Sequence, residues 1–141
     1  MIVEREKLVM AGPVVTAQEV VEICKSGGFL AKQLYVVFTT PTAGMGPVME
    51  NLQPHLKYQE DLEKRGIMFA AGPHWTDDEK LWEGEGMVVI RASSLAAAKE
   101  IAANDPMHIC GARTFRVRPW LVNEGTLTVK LGFATGKFEL T

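Results

Sequence analysis

Between residues 34 and 122 the chain reads strand, helix, strand, strand, helix, strand, which predicts an α+β fold of the ferredoxin-like, split βαβ (βαββαβ) kind. Three observations carry that reading. Leu34 to Thr40 is β-branched and aromatic almost throughout. Two longer segments, about Pro47 to Arg65 and Ser93 to Asp105, repeat their apolar residues at helical spacing. Asn104 to Trp120 joins an Asp-Pro pair, a glycine turn and an alternating strand. The 141 residues, 47% of them hydrophobic, suffice for one domain with a core and are too few for two comfortable ones.

Residues 1–33 read as an N-terminal extension. Thr16 and Glu19 stand at capping-box spacing, Val20, Val21 and Ile23 supply an apolar side, and Gly27-Gly28 ends the run, which predicts one short helix. The strand Leu34–Thr40 is apolar at both parities, Leu34, Val36 and Phe38 against Tyr35 and Val37, so both of its faces are expected to be covered. Pro41, Gly44 and Gly46 break the chain before the first domain helix. On a wheel of about 100° per residue, Leu52, Gln59, Leu62 and Gly66 fall within about 60° of His55, and Lys57, Glu60, Asp61 and Lys64 take the opposite arc. His55 is therefore expected on the core side, flanked by Leu56 and Tyr58, with Pro54 restarting or kinking the helix just before it. The ordinary role of a lone histidine in that position is a satisfied core residue.

Strands over Ile67–Trp75 and Met87–Ala92 follow, joined by the polar segment TDDEKLWEGEG. Ala70, Ala71 and Gly72 place small residues mid-sheet, which leaves room for something to approach the surface. His74 and Trp75 stand at that strand's end as pocket-rim candidates, and Asp77, Asp78 and Glu79 lack metal spacing. The serine-capped, alanine-rich run then puts Ala98, Ile101 and Ala102 on the face of Leu95, and Asp105 projects onto the same arc. Pro106 forces the helix to stop there, and an acid at the end of an apolar stripe is expensive unless paired. From Arg113 the closing strand sets Phe115, Val117 and Leu121 on one face and Arg116, Arg118 and Trp120 on the other. Two arginines and an indole on one face suit water or an anionic, planar guest. Residues 123–141 read as a tail, with a β-hairpin around Ala134-Thr135-Gly136 suited to packing on a partner chain.

The net charge of −2, without a Lys/Arg run, argues against a nucleic-acid partner. MIVEREKLVM lacks the apolar core of a signal peptide, and no apolar run is long enough to span a bilayer, so a cytoplasmic protein without a membrane partner is expected. Cys24 and Cys110 lie far apart among apolar neighbours and read as buried free thiols. His55, His74 and His108 are not at ligand spacing, so no metal site is expected. With two helices on one sheet face and apolar residues on both, a second copy of the chain is the simplest cover for the other face, predicting a homodimer or larger homo-oligomer.

The stretch HLKYQEDLEKRGIMFAAGP from His55, the Asp105-Pro106 pair after an alanine-rich helix, and Val117 to Trp120, VRPW, together resemble the YCII-related (YciI-like) family over roughly residues 34–122. The resemblance implies a dimeric α/β barrel similar to that of muconolactone isomerases, with a His-Asp active site that falls by position on His55 and Asp105. Some relatives are dehydrochlorinases acting on chlorinated hydroquinones, and many have no assigned activity. This chain departs from the pattern in carrying Met107 where a Phe usually follows Asp-Pro, and in its two extensions.

An imidazole oriented by a carboxylate moves a proton to or from carbon or oxygen, as isomerisation, lactone shifts and HX elimination require. On this reading His55 and Asp105 are catalytic, Arg118 pairs with an oxyanion or carboxylate of the substrate, Trp120 stacks on its ring, and Tyr58 and His74 complete the binding set. The expected function is that of a lyase or isomerase needing no cofactor, which acts on a small aromatic, quinone or lactone compound by dehydrochlorination or isomerisation. The alternative is a metabolite-binding or assembly module of the same fold, in which the pair only ties two helix ends together; a cofactorless oxygenase shares the fold class.

Overall fold

Apolar side chains at both parities make the longest uninterrupted β segment the centre of the sheet. In this computed structural model, which describes residues 14–141, β1 (Lys32–Pro41) pairs antiparallel with β3 (Gly86–Ile90), setting Tyr35 opposite Ile90 and Thr39 opposite Gly86. β2 (Met68–Pro73) pairs antiparallel with the other edge of β3, and β4 (Arg113–Val122) completes a sheet of order β2-β3-β1-β4. The mixed α/β architecture and its element order agree with the ferredoxin-like reading. The expectation drawn from MIVEREKLVM falls on residues 1–13 and lies outside the described residues.

The first domain helix is two helices. After α1 (Ala17–Ser26), which precedes the sheet, come α2 (Met45–Glu50) and α3 (Leu52–Lys64), with Asn51 between them at φ −105°. Pro54 has no N–H for the carbonyl four residues back, so it can stand in the first turn of a new helix but not within a continuous one. Asn51 Nδ2 closes the break by donating to Pro47 O at 2.8 Å. α4 (Leu95–Ala103) starts at Ser94, whose Oγ accepts the Ala97 N–H at 3.1 Å, and a one-turn helix, α5 (Pro106–Ile109), follows directly.

One face of the sheet presents Tyr35, Val37, Val88, Ile90 and Val117 to Ala98 and Ala102 of α4, while Leu62 of α3 is fully buried. Each large side chain so enclosed contributes about 1.5–3 kcal/mol. A smaller core joins Val48, Met107 and Ala112, with Met45, Leu52 and Trp82 packed against it. Met107, the departure from Phe, is completely enclosed there. On the opposite face Leu34 is 0%, Val36 6% and Val89 3% exposed within the single chain.

Gln33–Leu121 form one compact unit, and the segments on either side of it form another. In that other unit, the capping box of α1 is complete, with Thr16 Oγ1 accepting from Glu19 N and Glu19 Oε2 from Thr16 N. β5 (Val129–Leu131) and β6 (Phe138–Leu140) make the anticipated hairpin, Leu131 facing Phe138. Asn123 Nδ2 lies 3.1 Å from Cys24 Sγ, so what read as two separate extensions is joined. Cys24 is a buried free thiol as expected, but Cys110 is exposed. It caps the short α5 just before Gly111 (φ +77°), where the chain turns at the surface, and its apolar sequence neighbours do not cover it. No helix among the described residues is long and apolar enough to cross a membrane.

Gly84 (φ +90°) fixes the β2–β3 connection against the end of β1: a Cβ there would stand 2.5 Å from Pro41 Cγ and 2.9 Å from Met45 Sδ. Gly84→Ala is expected to cost about 2–4 kcal/mol by adding steric overlap to a left-handed backbone. Gly111→Ala, equally left-handed but facing open space, is expected to cost about 1 kcal/mol. Urea midpoints of the two variants, at unchanged slope, check the difference.

Candidate functional site

The site forms where α4 must end. Pro106 excludes the preceding residue from helical geometry, and Asp105, at φ −65° and ψ 129°, becomes the N-cap of α5. Its Oδ1 accepts the Met107 N–H at 2.9 Å, as N-cap carboxylates do. The residue is 3% exposed, so the remaining lone pairs need protein donors. α3 supplies them one turn apart: Gln59 Nε2 donates to Oδ2 at 3.1 Å, and His55 Nδ1 lies 2.8 Å from Oδ2 and 3.0 Å from Oδ1.

Burial by itself would raise the Asp105 carboxyl. The hydrogen bond and charge of His55, the Met107 amide and the nearby His108 outweigh it and hold the carboxyl below its ordinary range. An ionised Asp105 can only accept, so the proton between the two residues sits on His55 Nδ1; in the neutral imidazole Nε2 then carries the lone pair. That is the tautomer of a general base whose imidazolium a carboxylate then stabilises.

His55 and Gln59 line a cavity of about 520 Å³, together with Thr39 of β1 and Arg113 of β4. The rest of the lining is largely apolar: Leu52, Leu56, Met87, Val88 and the indoles of Trp75 and Trp82. Ala71 and Gly72 also line it, as their small size anticipated. Arg113 shares the sheet face of Phe115 and Val117 by parity, and its guanidinium stands 5.9 Å from the Trp82 ring centre. Burial pushes its pKa down, against the opposing charge of Asp105.

His108 is a closed counterpart to His55. Its Nδ1 is 2.6 Å from Ala102 O, which can only accept, so Nδ1 carries the proton; Nε2 lies 2.9 Å from Thr39 Oγ1. Burial is the main cause of its lowered pKa. The ring also stacks at 4.5 Å on Phe115, leaving it a structural link between α5 and the sheet.

Of the residues singled out from the sequence, the fold brings His55 and Asp105 into contact. Tyr58 donates its hydroxyl to Ile101 O at 2.7 Å, tying α3 to α4; burial, then the charge of Asp105, raises its pKa, and it does not line the cavity. His74 lies with Glu85 in a separate depression, whereas its neighbour Trp75 does reach the cavity. Arg118 and Trp120 are exposed on the sheet face opposite Val117, outside the cavity lining. Sequence reasoning missed Gln59, Trp82 and Arg113 as site residues. Gln59 stood on the wheel beside His55, and the alternation from Arg113 through Val117 already carried the signal for Arg113. Among the described residues no group of three or more His, Cys, Asp or Glu side chains is placed to hold a metal ion.

A model of the YCII-related domain matches residues 34–121. Among solved structures, the chain is similar to 5-chloro-2-hydroxyhydroquinone dehydrochlorinase from Burkholderia phenoliruptrix in complex with 2,5-dihydroxybenzoquinone, at 23% identity and a TM-score of 0.51 over 62% of this chain and 92% of that one. That likeness establishes a shared fold. No curated protein sequence matches.

Two buried groups contribute to the acid limb of stability. His108 is lowered from 6.5, so below about pH 6.5 the unfolded chain binds a proton that the folded chain refuses, and stability falls toward the folded pKa. Asp105 is lowered from 3.8, so its contribution is complete above that value and is lost as pH falls through the lower folded pKa. Urea midpoints measured from pH 8 to pH 3 should therefore decline in two stages. His108→Gln is expected to remove the upper stage and Asp105→Asn the lower.

Proposed function

The chain belongs to the YCII-related family, and from that premise we propose that it is a small-molecule enzyme in which His55 and Asp105 perform proton transfer without a cofactor. The observation that carries this reading is the ionised Asp105 carboxylate 2.8 Å from His55 Nδ1 at the wall of a cavity of about 520 Å³, a volume within the range of small-ligand sites. A histidine placed only for packing would not need a buried carboxylate that is itself held by a glutamine and a backbone amide.

In an elimination, His55 Nε2 takes a proton from carbon or hydroxyl oxygen of the substrate. The electron pair left behind forms a new double bond, and the carbon–halogen electrons depart with the halide. In an isomerisation the same nitrogen returns the proton to a different carbon. Asp105 holds the ring in one tautomer and offsets the imidazolium charge in either case, a contribution of about 100- to 10,000-fold for positioned acid–base catalysis. The similarity to a dehydrochlorinase supports elimination from a chlorinated aromatic or quinone compound, and the lining indoles suit a flat ring. The reading includes a homodimeric α/β barrel; Arg118, Trp120 and His74, which lie outside the cavity lining of the single chain, meet a substrate only if a second copy brings them to it.

A turnover screen of hydroxyquinols, quinones and lactones tests the proposal on three variants. His55→Ala and Asp105→Asn are each expected to lower turnover by about 100- to 10,000-fold, with the double variant little worse than either, because residues acting as a unit are not additive. Thermal melts of the same samples must show folded protein. A folded His55→Ala enzyme with full activity sinks the assignment, and wild-type protein that binds these compounds without turning them over is a binding module instead. Sedimentation at micromolar concentration checks the dimer, and a stable monomer removes that part of the reading.

A further inference from the structure

Arg113 has no part in the proton transfer just described, yet the fold encloses it to 5% exposure. Its Nε is buried without a partner, and among the described residues its side chain forms neither a hydrogen bond nor an ion pair. Asp105 acts on it only through space and is already held by His55, Gln59 and the Met107 amide. Glu85 also lines the cavity but is not within ion-pair distance of it. Holding a cation out of water without a counter-charge is costly, and the cation–π contact with Trp82 at 5.9 Å offsets only part of that cost. A second polar atom of a residue lining the cavity, Gln59 Oε1, is also buried and unpartnered. The cavity thus offers one cation and one spare acceptor within largely indole and aliphatic walls.

We propose that Arg113 is the anion-pairing residue of this cavity, taking the ionised oxygen of a planar ring compound, a ring-borne carboxylate, phenolate or enolate, whose ring lies against the Trp82 wall. Gln59 Oε1 accepts from a hydroxyl on the same ring. The inference rests on the cavity being the ligand site of the proposed function, and it adds the charge and shape of the substrate. It also gives Arg113 a task in the reaction, since the negative charge left on oxygen when His55 removes a proton is then already paired.

Calorimetric titration with salicylate and its neutral isostere salicylamide tests this on the full chain. Wild type is expected to bind salicylate about tenfold or more tightly than salicylamide, as a charge-assisted hydrogen bond requires. Arg113→Met is expected to abolish that preference while keeping salicylamide binding, with a melting temperature equal to or above wild type because the uncompensated charge is gone. Arg113→Lys decides the matter if the Met variant does not fold: it should weaken salicylate several-fold and leave salicylamide unchanged. His55→Ala should retain the preference, which separates this inference from the proton-transfer reading, since loss of turnover there says nothing about anion pairing. A wild type that binds neither compound, or both equally, overturns the proposal, as does equal weakening of both ligands in the Arg113 variants.

Discussion

A carboxylate that cannot reach water organises this domain. Pro106 ends α4 where the apolar stripe is still facing inward, so Asp105 enters the interior with it. Its lone pairs must then be met by protein, and the donors are the Met107 N–H in the first turn of α5 and two side chains of α3. Leaving such a group short of a partner costs several kcal/mol. Helix α3 is therefore held at one rotation and one height against the α4–α5 junction, and the Tyr58 hydroxyl bond to Ile101 O fastens the same pair a turn further on. The packing of the helices and the aim of the imidazole are one constraint seen from two sides.

Two histidines on either side of that junction carry the same Nδ1–H tautomer to opposite ends. His108 spends both ring nitrogens on protein, Ala102 O and Thr39 Oγ1, and pins the short helix to the sheet. His55 spends one on Asp105 and sits in the cavity lining with the other.

Much of this was legible because it is local. The element order followed from periodicity; the wheel put His55 on the core side and Pro106 left Asp105 as an acid in need of a partner, while the pairing of the two came from the family resemblance. Pro54 announced a restart without revealing that it makes two separate helices, since that depends on where the preceding turn can close on Asn51. Arg113 was passed over although its parity with Val117 placed it inside, because basic residues are ordinarily assigned to water. Trp82 was beyond reach: its position follows from a connection shaped by Gly84 and by the indole N–H bond to Glu85 O at 2.9 Å.

The cavity draws its parts from segments of different stiffness. The His55–Asp105 pair is set on α3 and the α4–α5 junction, while the indole walls belong to the residues leaving β2 and the long connection into β3. Connections accept substitutions and length changes that packed helices do not. In lineages sharing this architecture, the outline of the cavity can therefore drift while the buried His55–Asp105 pair stays fixed, so its shape is open to retuning without unsettling the helices that the pair holds together.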